Sequence, residues 1–291
     1  PLDRELSEGL VAQAIVARLL QMDIPADIKA RLKARVEWFV AREQRLKGYA
    51  PLVNRMPHYC PGCPHNTSTK VIEGSRAAAG IGCHFMVQWM DRRTETFTHM
   101  GAEGITWMGL APYSKDKHIF VNLGDGTYYH SGILAIRQAV AAKINITYKL
   151  LWNEAVAMTG GQPVDGPLTL GQIVNQIRDE GVQRIAVLSD DLANVPESEF
   201  PAGVTVHPRE HIDRAMEEFR EVEGCSVIVY DQGCAAELRR KRHRKLAPEP
   251  TERVFINTRV CEGCGDCSVQ SNCIAIEPLE TPLGRKRQIN Q

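Results

Sequence analysis

Residues 121–132, VNLGDGTYYHSG, set Asp125 between Gly124 and Gly126, after an apolar run at 118–123 and before a helix-like pattern, SGILAIRQAVAAK. At a strand-to-helix corner, glycine lets the backbone approach a ligand, and the first helical turn presents free N–H groups to an anion. An aspartate there repels a phosphate unless a cation lies between them. The corner therefore predicts a metal-bridged phosphate. Magnesium takes oxygen ligands at about 2.0–2.1 Å and shares its shell among one or two side chains, phosphate oxygens and water. A second side-chain oxygen is offered by Asn153, 28 positions after Asp125, at the end of YKLLWN. The turn lacks G-x-G-x-x-G and the chain lacks a Walker lysine at this point, which sets aside dinucleotide and P-loop sites. An ordinary turn beside an exposed asparagine is the remaining alternative.

Six of the nine cysteines fall into two clusters. The spacing of Cys60-Pro-Gly-Cys63 suits zinc or a redox disulfide equally well. Cys261, Cys264 and Cys267 have the C-x2-C-x2-C spacing that lets three thiolates cap one face of an iron–sulfur cube, with Cys273 six positions further. Zinc modules place their cysteine pairs farther apart. The usual C-x3-C-P ending is replaced here by five intervening residues and Ile274, so either Cys273 completes this cluster or the chain is a fragment of a longer polypeptide. Cys225 lies inside an apolar run and is expected to pack as a small hydrophobe. The lone histidines His65, His84 and His130 suit structural roles at least as well as chemical ones.

The elements that must position these groups follow from apolar periodicity. Residues 3–47 read as two helices, with Leu6, Leu10, Ala14 and Ala17, then Ile28, Leu32, Val36 and Val40, at helical spacing. Strands are predicted at 118–123, 145–152, 183–188 and 225–230, and helices at 66–79, 131–142, 169–180 and 208–222. That alternation predicts an α/β fold, a mostly parallel sheet with helices on both faces. The chain divides into a helical segment over 1–50, a main body over 51–245, and a small module over 246–291. The basic run 239–245 reads as a solvated helix end leading into a linker. Lys plus Arg equals Asp plus Glu at 35 each, so no global field favours nucleic acid or an anionic membrane. No apolar run reaches the roughly 18 residues of a membrane span, and no signal-peptide pattern is present. A cytoplasmic protein with reduced thiols is expected.

The Gly-Asp-Gly corner, Asn153 and the MTGGQ that follows resemble the diphosphate-binding domain of thiamine-diphosphate enzymes. MTGGQ narrows the resemblance to the 2-oxoacid:ferredoxin oxidoreductases. CPGCPH at 60–65 and MGAEGITWMG at 100–109 look most like that family's indolepyruvate branch. The resemblance implies that the side chains of Asp125 and Asn153 and the carbonyl of Ala155 hold Mg²⁺, with Gly124, Gly126 and Thr159 bordering the diphosphate. Trp152 stands where many relatives have a second asparagine. It implies a proximal 4Fe-4S cluster on Cys60, Cys63, Cys83 and Cys234, a ferredoxin-like tail cluster on Cys261, Cys264, Cys267 and Cys273, and His65 facing the cofactor as a catalytic residue. The implied reaction is oxidative decarboxylation of an aryl or branched 2-oxo acid, with coenzyme A accepting the acyl group and ferredoxin the electrons. Such enzymes activate their cofactor through a glutamate on a second domain. Glu103 does not fit that role, so a complementary pyrimidine-binding domain or subunit, and an oligomer, are expected. The competing readings are a non-redox thiamine-diphosphate lyase with structural zinc, and an electron-transfer module that kept the fold without its cofactor.

Overall fold

The computed structural model describes residues 6–47, 53, 56–164, 166 and 168–290, in two compact units, Pro1–Met56 and Pro57–Gln291. The first contains α1 (Glu8–Leu19) and α2 (Ala26–Lys47), the two helices its periodicity predicts. Ser7 caps α1 by accepting the Leu10 N–H at 3.3 Å. Gly9 leaves room for the Glu43 side chain of α2.

The second unit is built on seven strands: β1 (Ala77–Ala79), β2 (Thr94–Phe97), β3 (Ile119–Gly124), β4 (Ile146–Trp152), β5 (Arg184–Ser189), β6 (Thr205–Pro208) and β7 (Cys225–Asp231). Their order is β2-β1-β3-β4-β7-β5-β6, and every pairing is parallel. Before, between and after them run α3 (His65–Ser68), α4 (Ile105–Leu110), α5 (Asp125–Thr127), α6 (Ile133–Ala142), α7 (Leu170–Asp179), α8 (Ile212–Arg220) and α9 (Ala235–His243). Side chains alternate across the pleat. Val121, Leu123, Tyr148 and Val229 pack with Ile136 of α6 and Ile173 of α7. Phe120, Leu151, Ile228 and Tyr230 pack with Met216 and Phe219 of α8 on the opposite face.

The four predicted strands are present to within one residue at each end. The predicted helix at 66–79 is not: α3 stops at Ser68, Gly74 turns the chain at φ +76°, and Ala77–Ala79 becomes β1. Alanine favours helix locally, but pairing with β2 and β3 in the buried sheet overrides that weak preference. The helix expected from 131 starts at Asp125 itself and runs through a π turn at Tyr128–Gly132 into α6. The helix expected at 208–222 is shorter, because Pro208 ends β6 and only Ile212–Arg220 is α-helical.

Beyond α9 the chain forms α10 (Asp266–Ser271) and an antiparallel hairpin of β8 (Ile276–Thr281) and β9 (Gly284–Ile289). Asn272 fastens this tail to the body, accepting from His58 Nε2 at 3.1 Å and donating to Asn66 Oδ1 at 3.2 Å. Lys70 Nζ donates to the Gln270 carbonyl at 2.7 Å.

Candidate active site

Because the sheet is parallel, the carboxyl ends of β1, β3, β4 and β7 open on one rim, and these four strands are adjacent. Loops leaving such ends form the ligand crevice of open α/β sheets. Gly80–Cys83 leaves β1, Asp125 leaves β3, Asn153 leaves β4, and Cys234 follows β7 as the N-cap of α9. Four segments far apart in sequence are thereby gathered by strand order.

Asp125 is almost fully buried. Its Oδ1 accepts the Gly126 N–H at 2.7 Å and its Oδ2 accepts the Asn153 N–H at 3.0 Å. Burial pushes its carboxyl above the usual range, while backbone N–H groups of Asn153, Gly126, Glu154 and Ala155 pull the other way. A carboxylate in that setting is stabilised by a cation. Asn153 Oδ1 accepts the Ala155 N–H at 3.2 Å, and Glu154 between them takes a left-handed φ of +59°. Each of these oxygens keeps a lone pair after its hydrogen bond. The hard oxygen donor set therefore fits a divalent ion such as Mg²⁺. Gly126 would meet only Val156 Cγ2 at 3.5 Å if it carried a Cβ, leaving its backbone open to a ligand.

These groups line a cavity of about 130 Å³ with His65, Ile81, Cys83, His84, Met100, Thr127, Ala155 and Thr159. Thr159 is exposed at its edge, its hydroxyl donating to Gln162 Oε1 at 2.9 Å. The MTGGQ segment closes on itself, with the Val156 N–H on the Gln162 carbonyl at 2.8 Å and the Gly161 N–H on the Val156 carbonyl at 3.0 Å. His65 and His84 are both buried, their ring centroids 6.0 Å apart. Burial holds His65 down to about 3, with the neighbouring His84 adding to the shift, and burial alone holds His84 down to about 4. Both imidazoles are neutral at physiological pH.

The body thiols of Cys60, Cys63, Cys83 and Cys234 lie within electrostatic reach of one another. Burial pushes Cys63 up to about 12 and Cys83 up to about 11, and the neighbouring thiols add to both. Cys83 also feels Asp125. The Cys234 N–H reaches the Asn153 carbonyl at 3.4 Å, so this quartet borders the carboxylate-amide site. Cys225 is buried in β7, as expected. In the tail, Cys261 and Cys264 lie in the loop before α10, Cys267 in α10, and Cys273 after it. Gly263, at φ +80°, passes so close to the Arg285 carbonyl of β9 that a Cβ would overlap it. Lys286 Nζ donates to the Cys261 carbonyl at 2.7 Å. Among the described residues no three His, Cys, Asp or Glu side chains are gathered tightly enough to hold a single metal ion.

Three contributions escaped the sequence pattern. Glu103 is fully buried. Its Oε2 accepts the Gly101 N–H at 2.8 Å, its Oε1 has no partner, and it presses on Gly80 where a side chain would overlap it. Burial raises it to about 7, against two backbone hydrogen bonds. Thr127 is buried at the cavity wall. The basic run is more than a solvated helix end: Arg239 donates to the Pro61 carbonyl within CPGC at 2.8 Å, and Arg240 to the Gly160 carbonyl within MTGGQ at 2.5 Å. Their acceptors are backbone atoms, which no motif displays.

Residues 80–230 match the family described as thiamine pyrophosphate enzyme, C-terminal TPP binding domain. The chain is 31% identical over 244 residues to the indolepyruvate oxidoreductase subunit IorA of Thermococcus kodakarensis, covering 76% of this chain and 36% of that protein. It is 28% identical over 278 residues to IorA of Archaeoglobus fulgidus, covering 84% of this chain and 43% of that protein. The chain thus spans well under half the length of these curated relatives. A solved 2-oxoglutarate:ferredoxin oxidoreductase from Magnetococcus marinus aligns with 72% of this chain and 76% of its own, at 21% identity and a TM-score of 0.44. The matched segment, 80–230, runs from the loop after β1 through β7 and contains Asp125 and Asn153 on their shared rim. The chain belongs to the thiamine pyrophosphate enzymes, and carries their C-terminal TPP-binding domain.

Proposed function

We propose that this chain is the TPP-binding part of a 2-oxo acid:ferredoxin oxidoreductase acting on indolepyruvate or another aryl or branched 2-oxo acid. The overall reaction converts the 2-oxo acid anion, coenzyme A and two oxidised ferredoxins into acyl-coenzyme A, carbon dioxide, two reduced ferredoxins and one proton. Thiamine diphosphate, when bound, supplies the electron sink that lets carbon dioxide leave. The chain's own residues do the holding. Asp125, Asn153 and the Ala155 carbonyl take Mg²⁺, while Gly124, Gly126 and Thr159 border the diphosphate. His65 is the catalytic candidate: as a neutral imidazole on the cavity wall it can hydrogen-bond a reacting oxygen without bringing a charge.

Cys60, Cys63, Cys83 and Cys234 are assigned to a 4Fe-4S cluster beside that site, and Cys261, Cys264, Cys267 and Cys273 to a second in a ferredoxin-like module over 246–291. The TPP-binding domain is assigned to 51–245 and the segment before it to a helical linker. A cytoplasmic setting suits thiolates kept reduced. The activating glutamate is assigned to a complementary domain or subunit of an oligomer. Among the described residues no helix is long and apolar enough to cross a membrane.

The observation that carries this reading is Asp125 beside Asn153 on one sheet rim, with Cys83 lining the same cavity and the Cys234 N–H on the Asn153 carbonyl. Calorimetry of Mg²⁺-dependent thiamine diphosphate binding tests it. Asp125→Asn, which removes the charge but keeps the shape, is expected to weaken binding at least about 100-fold, since losing even an outer-shell partner of a metal ligand costs about 10–100-fold. Equal affinity in the variant and the wild type would sink the assignment.

A further inference from the structure

A central strand of a parallel sheet covered on both faces favours apolar side chains. Lys149 breaks that rule. It stands in the middle of β4 with no solvent exposure, in register with Asn122 of β3 and Ile228 of β7. Burial brings its ammonium down to about 7, the nearby Arg92 charge adds to that, and Asp213, the carboxylate that opposes the shift, is exposed on α8. A buried cation without a close carboxylate is retained only where other oxygens replace its water. Here they are backbone carbonyls: Lys149 Nζ donates to Ser68 at 2.6 Å and to Lys70 at 2.8 Å.

Those carbonyls lie at the carboxyl end of α3, which has only four residues. So short a helix cannot sustain itself, and its last carbonyls need outside donors. Arg92 supplies the others. Its Nη1 donates to the His65 carbonyl at 3.3 Å, the Asn66 carbonyl at 2.7 Å and Thr69 Oγ1 at 3.0 Å. Tyr59, whose ring lies 6.0 Å from the Arg92 guanidinium, shares its one hydroxyl proton between Thr69 Oγ1 at 3.3 Å and the His84 carbonyl at 3.2 Å. The segment that begins with Cys60 and Cys63 and continues through His65 is thus held down by two cations, one rising from the sheet and one from the loop before β2.

We propose that Lys149 and Arg92 are positioning residues that lock segment 60–70 onto the rim, fixing the direction in which Cys60, Cys63 and His65 face Cys83, Cys234 and Asp125. Charge-assisted bonds to carbonyls give a firmer anchor than apolar contact, because they fix orientation as well as proximity. The catalytic meaning of the clamp rests on the proposed function. The clamp itself does not.

The test is hydrogen exchange on the 291-residue chain without added metal, comparing wild type with Lys149→Met and Arg92→Gln. Amides of residues 63–70 should exchange at least about tenfold faster in both variants, as expected when strong hydrogen bonds holding a local unit are removed. Protection in β3, β4 and β7 should stay at the wild-type level, and Arg92→Lys should restore most of what Arg92→Gln loses. Wild-type exchange at 63–70 in both variants overturns the proposal, as does a loss of protection spread evenly over the sheet. If Lys149→Met does not fold, Arg92→Gln decides by the same two criteria. Failure of the wild type to take up thiamine diphosphate or iron would remove the proposed activity while leaving the exchange result to judge the clamp.

Discussion

His118 shows how a single half-buried group writes itself into the pH dependence of the molecule. Its Nε2 meets Thr147 Oγ1 at 2.7 Å. Burial, followed by the positive charge of Arg220, brings the imidazole down from 6.5 to about 4. A group with a depressed pKa gives stability that is complete above its unfolded value and is lost as pH falls through its folded value. Between about 6.5 and 4 the unfolded chain binds the extra proton, so stability rises with pH across that window. His84 has the same sign over the same window, and His65 the same sign over one that reaches down to about 3. Replacing His118 by Asn, which keeps a hydrogen-bonding group there, is expected to flatten the decline of melting temperature between pH 6.5 and pH 4. Calorimetric melts at several pH values measure this, and a decline as steep as that of the wild type would refute it.

Among the elements, the corner at Asp125 depends on how the helix leaves β3. The chain turns helical at Asp125 and relaxes through the π turn at Tyr128–Gly132 before α6 begins. Gly132 makes that path possible by packing on the strand it has just left: a Cβ would lie 2.8 Å from Leu123 Cδ1 and 3.2 Å from the Thr127 carbonyl. Gly132→Ala should therefore lower stability by about 1–3 kcal/mol, the usual scale of overpacking. It should also weaken thiamine diphosphate binding, because the displaced turn directly continues the short helix that starts at Asp125. An unchanged melting temperature would show that the turn tolerates the methyl group. The sequence disclosed β3, β4, β5 and β7, because burial on both faces leaves near-continuous apolar runs. It hid β1, since three alanines carry no strand pattern and only their neighbours make them a strand. It singled out Asp125, Asn153 and the cysteines as candidates through residue type and spacing, and the fold sets Asp125 beside Asn153. It could not disclose that Cys234 comes to rest beside Asn153, because β7 inserts between β4 and β5, and strand order is a non-local property.

At the scale of the molecule, the cavity at the rim is small for its proposed occupant. Sites for cofactors and drug-sized ligands usually enclose about 300–1,000 Å³, whereas this one is about 130 Å³. It can wall in a diphosphate and its metal, but leaves the rest of a thiamine-sized molecule uncovered. Ile81, Met100 and Met158, which line the cavity, are also exposed large hydrophobic residues. Apolar side chains around an open ligand site gain free energy when another surface covers them, roughly 25 cal/mol per Å² removed from water. A chain spanning 36–43% of its curated relatives leaves ample length in those proteins for such a surface. The 291-residue chain alone is therefore expected to bind thiamine diphosphate and Mg²⁺ without releasing carbon dioxide from indolepyruvate. Adding the complementary pyrimidine-binding polypeptide should tighten cofactor binding and start turnover, and under anaerobic conditions should bleach the iron–sulfur absorbance as electrons enter. Release of carbon dioxide by the purified chain at the rate of the reconstituted pair would place every catalytic group within these residues and remove the need for a second surface.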